Sequence, residues 1–197
     1  GYCTDVFFDE AISFINKNRE NPFLCFLSLN APHSPFNVPK EYYELYENEG
    51  DLLESQKRFY GMITNIDDNF GRLHQHVESL GILHNTIIIF TTDNGTSNGY
   101  KYSKKDKKWL GFNAGMRGTK TSEYDGGHRV PFIIKWKKGG LFGGHNYSGL
   151  SAHVDMLPTL LSFAKIDFNS TKKIDGADLS KHCLLYTSPS PRDLTTS

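Results

Sequence analysis

Seven residues, Thr86-Ile87-Ile88-Ile89-Phe90-Thr91-Thr92, run without a charge and end in Asp93-Asn94-Gly95. A β-branched apolar stretch with no polar alternation, bounded by turn residues, reads as a strand buried on both faces. Such a strand needs covering layers above and below it, which points to a parallel sheet between helices. Ligands in open α/β sheets gather at the carboxyl ends of the strands, where Asp93 and Asn94 stand. Two readings of the triplet remain open. Asp, Asn and Gly are common residues for leaving a strand. A carboxylate beside an amide oxygen also makes a pair of hard donors, suited to Ca²⁺ or Mg²⁺ and poorly suited to a thiolate-type metal. Taken alone, the pattern favours the turn.

The rest of the chain alternates helices and strands. Thr4 is placed to cap a helix to about Asn18, with Phe7, Phe8, Ala11, Ile12 and Ile15 on one face. Asn21-Pro22 ends it, and the apolar run Phe23 to Leu29 reads as a second buried strand. A proline-studded loop from Asn30 to Pro39 precedes a short helix over Lys40 to Tyr46. Phe59, Met62, Ile63, Ile66, Phe70, Leu73, Val77 and Leu80 recur at helical spacing, so the longest helix spans Ser55 to Leu80 and stops at Gly81. Gly95 to Gly127 is rich in Gly, Asn and Lys and reads as loop. Val130 to Trp136 is another candidate strand, and Asp155 opens a helix to about Lys165 that tolerates Pro158 in its first turn. The expected fold class is α/β, a mostly parallel central sheet sandwiched by helices. Residues 1–182 form the expected domain. Residues 183–197 read as a disordered tail, Ser/Thr/Pro-rich, resembling translated adapter sequence and taken as non-native.

Composition narrows the partners. Lys plus Arg and Asp plus Glu each total 22, so no global basic footprint argues for nucleic acid. No apolar run is long enough to span a bilayer as a helix. Cys3, Cys25 and Cys183 do not pair evenly and lack metal-ligand spacing; Cys25, in the apolar run, reads as a core residue. Asn146-Tyr147-Ser148 and Asn169-Ser170-Thr171 are glycosylation tripeptides that matter only in a secreted protein.

Polar clusters follow the apolar strands. In Asn30-Ala31-Pro32-His33-Ser34-Pro35, prolines on both sides would hold His33 in an extended loop, where imidazole can donate to an anionic oxygen or protonate a leaving group. Lys120 sits in the loop Met116 to Pro131, where an ammonium could meet a bound oxyanion; the alternative is a solvated surface lysine. Lys101 to Lys108 carries five lysines and reads as a solvated loop rather than an anion-binding rim.

The order of these segments resembles the sulfatase family of the alkaline-phosphatase superfamily, across roughly residues 2–180. The resemblance is carried by Thr4-Asp5-Val6-Phe7, Ala31-Pro32-His33-Ser34-Pro35, Asp67-Asp68-Asn69-Phe70-Gly71, Thr86 to Gly95, Lys120 with Tyr124-Asp125-Gly126-Gly127-His128-Arg129-Val130-Pro131, Asp155-Met156-Leu157-Pro158-Thr159-Leu160-Leu161 and Asp175-Gly176-Ala177-Asp178-Leu179. The loop around Lys120 looks closest to arylsulfatase A- and B-like members. The resemblance implies an alkaline-phosphatase-like fold, incomplete at its N-terminus. It also implies Asp93 and Asn94 as two metal ligands, with Ca²⁺ the usual ion and Mg²⁺ the lesser fit. His33 and Lys120 would contact the sulfate, with His33 placed to help the ester oxygen leave. The substrate would be a sulfated small molecule or glycan, and the setting secretory or lysosomal.

The chain departs from the family in one large respect. Sulfatases carry a Cys-x-Pro-x-Arg motif, whose Cys (or Ser) a formylglycine-generating enzyme converts to formylglycine, and an early Asp-Asp pair. None of the three cysteines fits that motif, and Asp67-Asp68 lies inside the long amphipathic helix. The expectation is therefore a fragment covering the later part of a sulfatase catalytic domain, inactive by itself. Two alternatives belong beside it. One is a phosphoric or phosphonic monoester hydrolase of the same superfamily, although two-zinc members tend to place a histidine where Asn94 stands. The other is a catalytically dead relative that binds sulfated glycans through the Lys101 to Lys108 loop.

Overall fold

In the computed structural model, the described residues are 1–144, 146–168 and 173–185. The chain forms two compact units. The first holds residues 1–82 and 90–132; the second holds 83–89 and the chain from 133 onward.

Helix α1 (Cys3–Asn18) and helix α3 (Glu54–Ser79) build the first unit's core, with the short α2 (Lys40–Glu44) packed on α3. The face that α1 buries is narrower than its apolar pattern suggests. Thr4, Phe8, Ala11 and Ile15 are buried, whereas Phe7 is exposed and Ile12 only half-buried. Thr4 is not the cap: the helix starts two residues earlier than a Thr4 cap implies, after Tyr2, and Thr4 is interior. On α3 the buried stripe includes Phe59, Met62 and Val77, and also Asn65 and Asn69. Those amides face Asp5 of α1, whose Oδ1 accepts Nδ2–H bonds from both at 2.8 Å. Two donors on one carboxylate oxygen satisfy a polar contact that would otherwise be costly to bury. Arg72 adds an ion pair with Asp9 on the same helix pair. α3 ends where Gly81, at φ +72°, takes the left-handed conformation that stops a helix without a Cβ penalty.

Residues 23–29 correct the second expected strand. They carry no strand pairing, and their side chains alternate: Phe23, Cys25, Leu27 and Leu29 are half-buried, while Leu24 and Phe26 are 78% and 84% exposed. Cys25 is accordingly half-buried rather than core, and desolvation raises its thiol pKa.

The apolar run at Thr86 supplies β1 (Ile88–Thr91), half-buried along its length rather than sealed on both faces. β1 neighbours β4 (Phe132–Lys135) in a two-stranded sheet. Between them lies a hairpin, β2 (Tyr100–Ser103) and β3 (Lys108–Gly111), antiparallel with Tyr102 opposite Trp109. A single helical turn, α4 (Asp125–His128), precedes β4.

In the second unit, α5 (Met156–Ala164) carries Pro158 in its first turn and ends at Lys165, itself left-handed at φ 53°. Asp155, just before α5, accepts backbone hydrogen bonds from Ala152 (2.7 Å) and Ala177 (2.8 Å). Those bonds hold its carboxyl pKa below the ordinary value. α6 (Ser180–Leu185) runs three residues past the expected boundary at residue 182. The remainder of the expected tail, 186–197, and the tripeptide at Asn169 lie outside the described residues.

Candidate functional site

β1 delivers the chain into Thr92-Asp93-Asn94-Gly95, and the turn is closed locally. Thr92 Oγ1 donates to the Asn94 carbonyl at 3.2 Å, and Asn94 Nδ2 donates to the Gly95 carbonyl at 2.9 Å. With its amide hydrogen spent on the backbone, Asn94 has Oδ1 to offer a cation. Asp93 is exposed and Asn94 half-buried.

The next contacts decide the site. Gly95 N–H donates to the Gly127 carbonyl at 2.9 Å, and Lys120 N–H donates to the Thr96 carbonyl at 2.9 Å. The Asp-Asn-Gly turn and the Lys120 loop are thus joined backbone to backbone, within the first unit. The approach needs glycine. A Cβ on Gly95 would lie 1.9 Å from the Gly126 carbonyl oxygen, and one on Gly126 would lie 2.0 Å from that of Gly118. The Lys120 loop is further closed by Gly126 N–H to the Arg117 carbonyl (2.8 Å) and by Asn113 Nδ2 to the carbonyls of Met116 (2.6 Å) and Gly118 (3.1 Å). Lys120 itself is half-buried rather than a freely solvated surface lysine.

His33 sits on a turn of its own. The loop is not extended: His33 N–H donates to the Asn30 carbonyl at 3.0 Å, and the prolines flanking His33 both follow cis peptide bonds. His33 is exposed, and its Nδ1 bonds the Ser34 carbonyl at 2.9 Å. A carbonyl only accepts, so Nδ1 carries a hydrogen and Nε2 is the nitrogen left for chemistry. Of the sequence candidates, backbone hydrogen bonds join the segment that carries Asp93 and Asn94 to the loop that carries Lys120; His33 is held by local bonds.

The donor set fits a hard divalent cation in part. Asp93 and Asn94 offer carboxylate and amide oxygens, the ligands Ca²⁺ and Mg²⁺ prefer, but Ca²⁺ takes six to eight oxygens. Among the described residues no group of three or more His, Cys, Asp or Glu could hold a metal. Asp67 and Asp68 are exposed in mid-α3; the Tyr42 phenol is held above its ordinary pKa by burial, and then by a hydrogen bond to Asp68.

The lysine-rich stretch is the largest departure from expectation. Lys101 to Lys108 spans the end of β2, an exposed turn over residues 104–107 and the start of β3, so only the turn is the expected solvated loop. The hairpin's outward face carries Tyr100, Tyr102 and Trp109, with the Tyr100 and Trp109 rings stacked at 4.8 Å and 14°. Next to its turn, Lys108 Nζ donates to Asp51 at 2.7 Å, a bond that lowers the Asp51 pKa and raises that of Lys108. The signal was present as alternation, Tyr100 and Tyr102 two apart and Trp109 on the returning strand, masked by the lysines between them.

Comparison with known proteins places this geometry. The family model described as Sulfatase matches residues 1–166. The chain is 32% identical over 182 residues to the uncharacterized sulfatase YdeN of Escherichia coli (strain K12), covering 91% of this chain and 30% of that protein. It is 30% identical over 179 residues to the N-acetylgalactosamine-6-sulfatase of Rattus norvegicus, covering 89% and 31%. Against the arylsulfatase of Clostridium perfringens (strain 13 / Type A) it is 30% identical over 211 residues, covering 87% and 40%. The crystal structure of Ps i-CgsB superposes with TM-score 0.80 at 27% identity, covering 95% of this chain and 39% of that one. The structure titled putative sulfatase yidJ from Bacteroides fragilis does so with TM-score 0.72 at 25% identity, covering 92% and 41%. The fold is the alkaline-phosphatase-like α/β fold. The chain spans about a third of the length of the curated relatives it matches.

Proposed function

This chain belongs to the sulfatase family, and from that premise we propose that it supplies part of the active site of a sulfuric ester hydrolase acting on sulfate monoesters. The observation that carries the reading is the pair of backbone hydrogen bonds joining the Asp93-Asn94-Gly95 turn to the Lys120 loop. Two oxygen ligands for a cation and one ammonium on mutually fixed loops suit a tetrahedral oxyanion that positive charge must hold while an S–O bond breaks.

Asp93 and Asn94 Oδ1 would hold a Ca²⁺ ion, Mg²⁺ being the lesser fit, which when bound supplies a concentrated positive charge beside the sulfate oxygens. Lys120 would meet a sulfate oxygen with its ammonium, neutralising charge that the departing alkoxide would otherwise feel. His33, with Nδ1–H committed to Ser34, would donate from Nε2 to the ester oxygen, which requires the imidazolium. The nucleophile in this reading is a formylglycine outside residues 1–197, made from Cys or Ser by a formylglycine-generating enzyme. The polypeptide alone is then inactive. A secreted or lysosomal setting accompanies the reading.

The structure titled Ps i-CgsB in complex with k-i-k-neocarrahexaose, at TM-score 0.78 and 27% identity, supports a saccharide ester among the candidate substrates. A two-zinc phosphoric monoester hydrolase is disfavoured by Asn94, since imidazole rather than amide suits Zn²⁺; a phosphonic ester hydrolase would share much of the single hard-metal arrangement.

The test is a longer polypeptide carrying this chain with its upstream region, assayed on 4-nitrophenyl sulfate and 4-nitrophenyl phosphate. The reading expects sulfate release, with Lys120→Ala lowering kcat/KM by about 10²–10³. Preference for the phosphate ester, or sulfate release by residues 1–197 alone, would overturn it. Asn94 also begins an Asn-Gly-Thr tripeptide, and a glycan found on Asn94 would exclude it as a metal ligand.

A further inference from the structure

We propose that the β2–β3 hairpin and the loop leading into Lys120 form a glycan subsite, one that binds a sulfated sugar unit beside the unit whose ester is cleaved. The inference rests on the sulfatase reading for its position and on the hairpin's own chemistry for its ligand.

The hairpin register puts Tyr100, Tyr102 and Trp109 on one face and Ser103 and Leu110 on the other. The second face is anchored. Ser103 and Leu110 are 2% and 5% exposed. The fully buried Gln56 donates Nε2–H to the Leu110 carbonyl at 2.9 Å, and Tyr60 OH donates to the Gly99 carbonyl at 2.7 Å. The first face is left to water although it is built from large rings: Trp109 is 54% exposed and Tyr102 49%. Ring contacts fix them, Tyr100 stacked on Trp109 and Tyr102 edge-on to it at 5.7 Å. With about half of Trp109 and Tyr102 open to water and the opposite face held by backbone, the cluster offers ring surface against which the weakly positive C–H face of a pyranose packs.

Opposite that wall, across a cleft of about 440 Å³, stand Arg117, Thr119 and Tyr124. The Arg117 guanidinium lies 3.6 Å from the centre of the Tyr124 ring. Stacking leaves the planar fork free at its edge, where it can take two oxygens of a sulfate group. Thr119 immediately precedes Lys120, so the cleft opens next to the sulfate-binding lysine. Lys104, Lys105 and Lys107 are exposed in the hairpin turn beyond Tyr102 and Trp109, and the turn's one acid, Asp106, accepts a 2.6 Å bond from Ser103. The turn thus adds a positive end to the ring face, while Arg117 is the cation that lines the cleft itself. Apolar ring faces flanked by cations select a sugar that carries anions, and distinguish it from a neutral sugar.

The test reads affinity, not turnover, so it is separable from the sulfatase assay. The full 197-residue chain is titrated calorimetrically with hexasaccharides of chondroitin 6-sulfate and dextran sulfate, with their desulfated counterparts, and with a single-stranded oligothymidylate. The proposal expects binding of a sulfated probe with a change in Trp109 emission. It expects about tenfold weaker binding for Trp109→Ala and for Arg117→Ala, and partial recovery in Trp109→Phe. Lys104→Glu with Lys105→Glu, in the solvated hairpin turn, should weaken binding in low salt and leave the fold intact by circular dichroism. Lys120→Ala should retain Trp109-dependent binding; turnover failing in the longer protein while that binding persists would sink the sulfatase reading alone. No binding of either sulfated probe, equal binding of the desulfated sugars, equal or tighter binding of the oligonucleotide, or indifference to Trp109→Ala would overturn the subsite.

Discussion

An alanine methyl at position 95 would sit 1.9 Å from the Gly126 carbonyl oxygen, against backbone that has nowhere to move without breaking the Gly95–Gly127 hydrogen bond. Asp93 and Asn94 carry the turn's side-chain oxygens, but Gly95 sets its place. Gly95→Ala should cost about 1–3 kcal/mol, the usual range for overpacking, and lower the urea midpoint with little change in the slope. Gly71→Ala is the control, because nothing lies within 4 Å of the added Cβ in mid-α3. There the helix should gain about 0.5–1 kcal/mol, with a raised midpoint. Equal losses at both positions would mean that the effect at 95 is not the close approach. The sequence made Asp93 and Asn94 visible as donors because their chemistry is carried by residue type. It left Gly95 as an ordinary turn residue, since the carbonyl that makes glycine necessary lies 31 residues away at Gly126.

Elements with a long period were legible and short ones were not. The apolar spacing of α3 located it to within a residue at each end, because a 26-residue helix averages over local exceptions. The β2–β3 hairpin was lost because four-residue strands give little periodicity and five lysines read as solvent. Its docking depends on Gln56, which was missed as a polar residue in an apolar stripe. Gln56 Oε1 accepts the Leu53 N–H at 2.9 Å while Nε2 reaches Leu110. Gln56→Leu should leave both backbone groups unmet at about 1–3 kcal/mol. Hydrogen exchange should then quicken across residues 100–111, while α1 amides keep their protection. Uniform loss of protection would argue against the hairpin as a separately docked element. The start of α5 makes a pH-dependent prediction. Asp155 has its pKa depressed by the two backbone N–H bonds, so its contribution is present above the ordinary value of 3.8 and lost as pH falls through the lower folded value. Asp155→Asn should flatten the acid limb of the stability profile below about pH 4, measured by thermal melting in stepped buffers.

At the scale of the whole molecule, charge balance and the α/β class were readable from composition and alternation, but the burial of the strands was not. A run such as Phe23 to Leu29 is apolar on both faces, and its sequence says that both faces are meant to be covered. In the structure one face is covered and the other is not, with Leu24 and Phe26 open to water. The reason is non-local: a strand is buried by neighbours on either side, which the residues of the run do not themselves specify. Unpaired apolar segments of this kind template association with other chains. The 197-residue polypeptide should therefore self-associate in the micromolar to millimolar range typical of exposed apolar edges. Leu24→Lys combined with Phe26→Lys should raise the monomer fraction by putting two charges on the open face while leaving the half-buried Phe23, Cys25 and Leu27 in place. Sedimentation velocity across a concentration series reads the effect directly. A wild-type chain that stays monomeric throughout, or a double variant that associates as strongly, would show that this open face does not drive association.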